Sequence, residues 1–482
     1  MQTSPLHDED ILIITDEIRS TVDNSAPTVL QGALLAESRT LRMNIIKSFV
    51  GSAVLFLPSA FAHAGLLGAI FGLSAIAFFS IRCMMMLVDC TTAMAYSAKP
   101  YDSIVPKESS GAPALATFEY GDVGFRAFGP LGRKFVDISL VSSQLGFCCV
   151  YLNYIAINLH AIVDVVTNCD LNIKMYFFIL FQLPFCVSLS WVRKLDFFSP
   201  SNAAANFFIL AGLLYAIGFC FYRLGTEGPA AAREEDGPGP NALATGGVYL
   251  LKPATFPLFL GSSVYTFEGI GLVLPLLSTT SPSLRPYYKD VMSSTVYGLL
   301  VVYICIGSVG YVAFGDEVSP AITSSLPQRD VFTIAVELGF CLALLFTYPI
   351  MLFPVIGIVE SKLLGPSSSN AEETTSVKPG GETREMMWKS NAVRTGIVAF
   401  TALASIGLEG SLDNLVALVG ALCSLPLAFI YPSLFHNEII GTHRKRNNWI
   451  AGLGVVMMIG STFFAIATWS NSDSDTCEKE HH

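Results

Sequence analysis

The chain has 482 residues, 52% of them hydrophobic and only 14% charged, with a mean hydropathy of +0.55. Its apolar runs reach the roughly 20 residues needed to cross a bilayer, which excludes a soluble globular protein and predicts an all-α polytopic membrane protein. The net charge of −10 resides in the N-terminal tail (Asp8, Glu9, Asp10, Asp16, Glu17), in Glu234, Glu235 and Asp236, and in the C-terminal tail. These read as solvated segments rather than as a face for a basic partner such as nucleic acid.

Residues 1–42 are polar and acidic, without a basic n-region ahead of a short apolar core, so no cleavable signal peptide is expected. They are expected to form a disordered cytosolic tail. Within it DEDILI, Asp8 to Ile13, fits the acidic dileucine pattern read by sorting adaptors, a carboxylate four residues before an apolar pair.

Apolar windows broken at charge clusters then predict about eleven transmembrane helices. They lie near 43–63, 66–92, 134–166, 174–191, 200–222, 251–277, 291–314, 330–360, 391–408, 412–436 and 448–469. Together they make a transporter-sized domain over 43–469, followed by an acidic tail, 470–482. Arg193 and Lys194, Arg285 and Lys289, Lys378 through Arg394, and Arg444-Lys445-Arg446 all fall on the side of the N-terminus. Positive loops mark the cytosol. An odd number of spans sends the C-terminal tail to the lumen or exterior. The linkers 93–133, 361–390 and 223–249 are rich in Ser, Pro, Gly and charge and read as flexible. GFRAFGPLGRK, Gly124 to Lys134, is expected either along the cytosolic membrane surface or as an ordinary loop.

Most of the 11 cysteines sit inside apolar spans, where a thiol is a small packing residue. Cys169 and Cys477 lie in polar segments on the same side, where a bridge is open to them.

Two spans are interrupted. In the first, NIIKSFVGSAVLFLPSAFAHAG, the breakers are Gly51, Ser52 and Pro58; in the sixth, TFPLFLGSSVYTFEGIGLVLPLL, Glu268 is followed by Gly269 and Gly271. A charge at that depth costs roughly 2.5 kcal/mol or more, so it persists only beside a cavity, a partner or a substrate. Two interrupted spans with four hydrophobic segments between them are the arrangement of inverted-repeat transporters, five plus five with an eleventh helix appended. In a broken helix the freed N–H groups hold the positive dipole end and can bind a carboxylate. Gly51-Ser52-Ala53 is such a candidate cradle, while the carbonyls and hydroxyls around Tyr265, Thr266 and Phe267 can accept an ammonium. Together they suit a zwitterion. The alternative is that Gly51 and Ser52 are small contacts for close helix packing.

Glu268 is a candidate proton acceptor, or else a permanent anion paired with Lys47 or Arg82. Arg82 can also pair with Asp89. Gln144, Tyr151, Asn153 and Tyr154 of the third span either line a pathway or bond to a neighbour. Glu337 is expected near the lumenal end, within reach of water. Thr347-Tyr348-Pro349 lacks the second hydroxyl that a sodium site would favour. H-E-x-x-H, G-x-S-x-G and Walker A motifs are absent, and none of the 7 histidines has metal-ligand spacing, so no enzyme, cofactor or metal is expected. Coupling to an existing ion gradient is what remains.

KSFVGSAVLFLPSAFAHAG, SSQLGFCCVYLNYIAINL, YTFEGIGLVLPL, GYVAFGD, LLFTYPIMLFP and DNLVALVGALCSLPLAFIYPSLFH, in that order, resemble the amino acid/auxin permease family. The branch resembled is that of proton-coupled amino acid transporters and fungal vacuolar amino acid exporters. The resemblance runs from Leu41 to about Phe464. It implies a LeuT-type fold of eleven helices, a substrate site between spans one and six at Gly51-Ser52-Ala53 and Phe267-Glu268-Gly269, and proton coupling. Two departures stand out: Leu277-Ser278-Thr279-Thr280 follows LPL where relatives carry an acidic or amide residue, and Ala53 stands where glycine is common. The expectation is a proton-coupled transporter of neutral amino acids in a vacuolar or lysosome-like membrane, with the plasma membrane second. Sodium-coupled or facilitative transport, and an amino acid sensor with little flux, are the alternatives.

Overall fold

The computed structural model describes residues 28–97, 118–168, 170–171, 173–193, 199–230, 244–245, 247–267, 269–364 and 384–469. Asp8 to Ile13, Cys169, Glu268, Cys477 and the tail from residue 470 lie outside the described residues.

Helix α1, Thr28–Phe49, starts well before the expected first span. Its opening turns, LQGALLAESRTLRM, are rich in Ala, Leu, Glu and Arg, which favour helix without needing lipid. The helix stops at Val50-Gly51, and the chain resumes through a 3-10 turn, Ser52–Phe56, into α2, Leu57–Ala64, at a bend of 53°. Pro58 falls in the first turn of α2, where its missing N–H costs no hydrogen bond. Gly65, with φ +75°, then turns the chain into α3, Leu66–Ser97; a Cβ there would lie 2.8 Å from the Leu250 backbone. Both the angle and the contact require glycine.

Helix α4, Tyr120–Thr167, is two helices joined at Phe128-Gly129, ahead of Pro130. GFRAFGPLGRK is therefore not an ordinary loop but a kinked helical stretch. The chain folds back so tightly that a Cβ on Gly132 would sit 2.1 Å from the Gly124 carbonyl oxygen. Helices α5, Met175–Ser190, and α6, Ser199–Thr226, follow. A short antiparallel hairpin, β1 Ala244–Thr245 and β2 Val248–Tyr249, leads to the second interrupted span. That span is α7, Phe256–Thr266, and α8, Ile270–Ser278. Then come α9, Tyr288–Phe314, α10, Val331–Leu364, and α11, Arg384–Gly407. Helix α12, Leu412–Leu418, passes through π-helical turns at 419–424 and 426–430 into α13, Tyr431–Ile439, and α14, Arg444–Ala467, closes the described chain.

Helices thus occupy every expected span position. Among the described residues eight are long and apolar enough to cross a membrane, or nine if the bent α1–α2 pair counts as one. Helix α5 is short at 16 residues, and α11 opens on the polar stretch REMMWKSNAVR. Phe71, Phe181, Leu214, Val456 and Phe463 point outward, each more than half exposed. In water such a belt would be an aggregation surface; on a multi-pass membrane protein it faces lipid.

The interrupted span lies inside the bundle, where α7 crosses the α12 region backbone to backbone. A Cβ on Gly261 would sit 2.2 Å from the Ala417 carbonyl oxygen, and one on Gly420 would sit 2.0 Å from that of Gly261. The expected Arg82–Asp89 pair is not formed. Lys289, at the start of α9, ion-pairs with Asp89, while Arg82 is exposed. Seven residues on a helix are about 10 Å apart along the axis, too far for a direct pair without both chains bending toward each other. The end of the 223–249 segment is anchored, not free: the Tyr249 N–H donates to the Tyr311 hydroxyl at 2.9 Å, and the Asp316 N–H to the Gly247 carbonyl at 3.1 Å. Cys83, Cys148, Cys149, Cys220 and Cys341 are buried as packing residues, whereas Cys305 is exposed on the outer face.

Candidate functional site

The first break is built from α1 ending normally. The Val50 N–H donates to the Ile46 carbonyl at 2.8 Å, after which Gly51 is extended (φ −134°, ψ −159°). The next bond in sequence is Val54 N–H to the Gly51 carbonyl at 3.4 Å. The amides of Ser52 and Ala53 therefore precede the first bond of the turn, the position at which a helix carries its positive pole. Ser52 and Ala53 are buried. A Cβ on Gly51 would meet no atom of the described residues within 4 Å. Among the described residues, then, nothing packs against Gly51.

The second break faces it. Helix α7 closes with the Phe267 N–H shared between the Ser263 and Val264 carbonyls at 3.2 and 3.1 Å, and Thr266 Oγ1 donates to the Ser262 carbonyl at 2.9 Å. The Gly269 N–H turns back to the Phe267 carbonyl at 2.9 Å, and α8 begins with Leu272 N–H to the Gly269 carbonyl at 3.0 Å. Among the described residues no backbone N–H reaches the Thr266 carbonyl. The Thr266 carbonyl is thus, among the described residues, an acceptor without a backbone donor, where the first break presents N–H groups.

Two contacts staple the breaks together. The Phe49 ring lies against Gly269, where a Cβ would sit 2.2 Å from it, so that close approach requires glycine. The Tyr303 hydroxyl of α9 donates to the Phe49 carbonyl at 2.9 Å, satisfying an acceptor left over where α1 ends. Around them stands an aromatic wall. Tyr265 packs against Phe147, centroids 4.4 Å apart, and edge-on to Phe56 at 6.1 Å. Phe56 meets Tyr154 at 6.3 Å, and Phe267 meets Tyr303 at 5.5 Å. Tyr151 is buried one helical turn from Phe147, on the same face of α4.

The structure thus brings together Gly51, Ser52 and Ala53 with Tyr265, Thr266, Phe267 and Gly269. Lys47 and Arg82, the candidate partners of Glu268, are both exposed and form no ion pair among the described residues. Asn153 bonds to the Cys149 and Ser405 carbonyls, and Tyr154 to Thr323, so both tie helices together. Thr347 donates to the Ala343 carbonyl and Tyr348 bonds Thr401, which commits both hydroxyls. Glu337 is not near water but fully buried. Phe56, Phe147 and Tyr303 were not singled out from the sequence. Phe147 lies four residues before Tyr151, a signal that was legible; Tyr303 is hidden in an apolar run, VVYICIG.

A family model described as "Transmembrane amino acid transporter protein" matches residues 37–471. Vacuolar amino acid transporter 4 of Saccharomyces cerevisiae is 31% identical over 401 residues, which cover 81% of this chain and 51% of that protein. The chain spans about half the length of that yeast relative. Amino acid transporter ANT1 of Arabidopsis thaliana is 29% identical over 94% of this chain and 98% of its own. Among solved structures, the crystal structure of MhsT in complex with L-phenylalanine aligns with a TM-score of 0.47 and 12% identity, covering 88% of this chain and 98% of that one. The family is one of transporters, not enzymes, and with nearly the whole described chain inside the match, this multi-pass membrane protein belongs to the transmembrane amino acid transporter protein family.

Proposed function

We propose that the chain is a secondary transporter of neutral amino acids, coupled to protons and working by alternating access around its two broken helices. The observation that carries this reading is the pairing of the breaks: amides at Ser52 and Ala53, acceptors at Thr266, and open space beside Gly51. A zwitterion's carboxylate fits the first pole and its ammonium the second. The described lining, Phe56, Phe147, Tyr265 and Phe267, holds aromatic rings and no charged side chain, which favours substrates with neutral side chains. Glu268, one residue from Phe267, is the proton acceptor in this scheme. The eleven-span topology with a LeuT-type five-plus-five repeat, an N-terminus in the cytosol and a C-terminus in the lumen accounts for breaks in the first and sixth spans. A vacuolar or lysosome-like membrane follows from the yeast relative's name and from DEDILI, and its acidic lumen would supply the proton gradient.

The test is uptake of a panel of amino acids into proteoliposomes, with and without an imposed pH gradient. Saturable uptake of neutral amino acids, accelerated by the gradient, is expected. Binding of an amino acid with no measurable flux would replace the transporter by a sensor, and flux driven by sodium alone would remove the proton.

A further inference from the structure

Glu337 lies in the seventh position of α10 with none of its surface exposed, and no Lys, Arg or His among the described residues forms an ion pair with it. Its Oε1 accepts from Gln328 Nε2 at 2.9 Å. That same Nε2 also faces the Leu326 and Ser324 carbonyls at 3.2 and 3.5 Å, so the amide's donors are spent and its orientation is fixed. Three buried oxygens of this region are left without a donor: Glu337 Oε2, Gln328 Oε1 and Asn158 Oδ1. Asn158, 1% exposed, has its amide on the Tyr154 carbonyl at 2.7 Å. All three orphans are acceptors. An ionised carboxylate here would have no counter-charge and would cost several kcal/mol, whereas one added proton removes the charge and turns Oε2 from an unpaired acceptor into a donor.

The titratable groups facing Glu337 are the Tyr154 phenol of α4 and Cys341, one turn along α10. Tyr215 of α6 is turned to Asp330 and Thr333, and on α4 His160 is held by Asp164. Cys186 of α5 lies near Tyr348, and Arg394 of α11 serves Glu360, both farther along α10. Arg329, next to Gln328, is exposed, and among the described residues no cation is paired with Glu337.

We propose that Glu337 is a buried proton-binding site, separate from Glu268, whose occupancy is conveyed to the first helix break. A proton from water binds Oε2, forming an O–H, and returns to water on release. The route to the break is short. Tyr154 bonds Thr323 at 2.8 Å in the segment Ile322–Ser325, which packs on the 3-10 turn, and its ring meets Phe56, the last residue of that turn. The link to transport rests on the reading above; proton binding itself does not.

Infrared difference spectra of the purified protein at stepped pH test the site directly. Wild type should show a carboxylic C=O band that disappears as pH rises, retained in Glu268→Gln and lost in Glu337→Gln. In proteoliposomes Glu337→Gln should lose gradient-driven accumulation while keeping exchange of labelled for unlabelled substrate. Glu337→Asp, which keeps the acid, should restore both the band and a gradient response, and serves if the Gln variant folds poorly. A pH-responsive band unchanged in Glu337→Gln, or gradient-driven accumulation equal to wild type, would overturn the proposal. So would a folded Asp variant without the band. Wild type with the band but without flux would remove the transporter reading and leave the proton site standing.

Discussion

Gly51 and Gly269 lie on opposite sides of the candidate site, and valine should affect them in opposite ways. At Gly51 the backbone is extended and a Cβ meets no described atom within 4 Å, so valine costs nothing in packing and suits the local conformation. Protein stability should move by no more than about 0.5–1 kcal/mol in either direction. The substrate, however, would lose its approach to the Ser52 and Ala53 amides. A hydrogen bond to a charged group is worth about 1.5–3 kcal/mol, so losing two should weaken apparent affinity by roughly 100-fold or more. At Gly269 the added atom would sit 2.2 Å from the Phe49 ring, and relieving such overpacking typically costs about 1–3 kcal/mol. Gly51→Val should therefore give normal yield and thermal stability with a greatly raised KM for uptake. Gly269→Val should lower yield and melting temperature together. Uptake by Gly51→Val at sub-saturating substrate that matches wild type would refute the carboxylate cradle, and unfolding of Gly51→Val would refute the open space.

Glu268→Gln keeps shape and hydrogen bonding while deleting the charge, so uptake should lose its pH dependence; a well-expressed variant with unchanged gradient-driven uptake would rule out the role. Tags at the two termini, probed after selective permeabilisation, should report an N-terminus in the cytosol and a C-terminus in the lumen, and both tags on one side would mean an even number of spans. Replacing Leu12 and Ile13 by Ala should move the protein from an internal acidic membrane to the cell surface, as seen by microscopy of a tagged chain. A wild-type protein resident at the surface would defeat this assignment.

The helices and their breaks were legible because lipid imposes a strict pattern: apolar runs of fixed length, with Gly51 and Gly269 the conspicuous exceptions. The boundaries were less so. Helix α1 extends back to Thr28 because Ala, Leu and Glu form helix in water as well, which a hydropathy window does not register. The site's second layer was mostly illegible. Nothing in VVYICIG marks Tyr303 as the residue that caps Phe49, since a phenol donating to a distant carbonyl leaves no trace in local sequence. The Asp89–Lys289 pair spans 200 residues of chain and, for the same reason, could not compete on paper with Arg82 nearby. Glu337 looked accessible from its position in the span, but burial is set by the helices around it: α4, α6 and the Ile322–Ser325 segment.

The two arms of the first broken span are anchored to different parts of the molecule. Beyond the break, Ser59 donates to Asp413 at 2.7 Å and His63 Nε2 lies 3.6 Å from the same carboxylate, joining α2 to the start of α12. The His63 carbonyl accepts from Thr255 at 2.7 Å and the Ala64 carbonyl from the Lys252 N–H at 2.9 Å, which adds the approach to α7. Before the break, α1 is held to Gly269 and Tyr303 through Phe49, and one turn earlier by the fully buried Ile45. Between these anchors lie Val50 and Gly51, neither of them in a helix. Moving α1 against α2 would therefore break the Tyr303–Phe49 bond, worth about 1 kcal/mol, and disturb the Phe49 ring contact and the burial of Ile45, while the bonds from α2 to Asp413, Thr255 and Lys252 lie beyond the break. The Gly261–Gly420 crossing, where backbone meets backbone, leaves no such slack between α7 and the α12 region. Under the alternating-access scheme proposed above, α1 is accordingly the arm expected to swing, and α2 with α7 and α12 the frame it swings against.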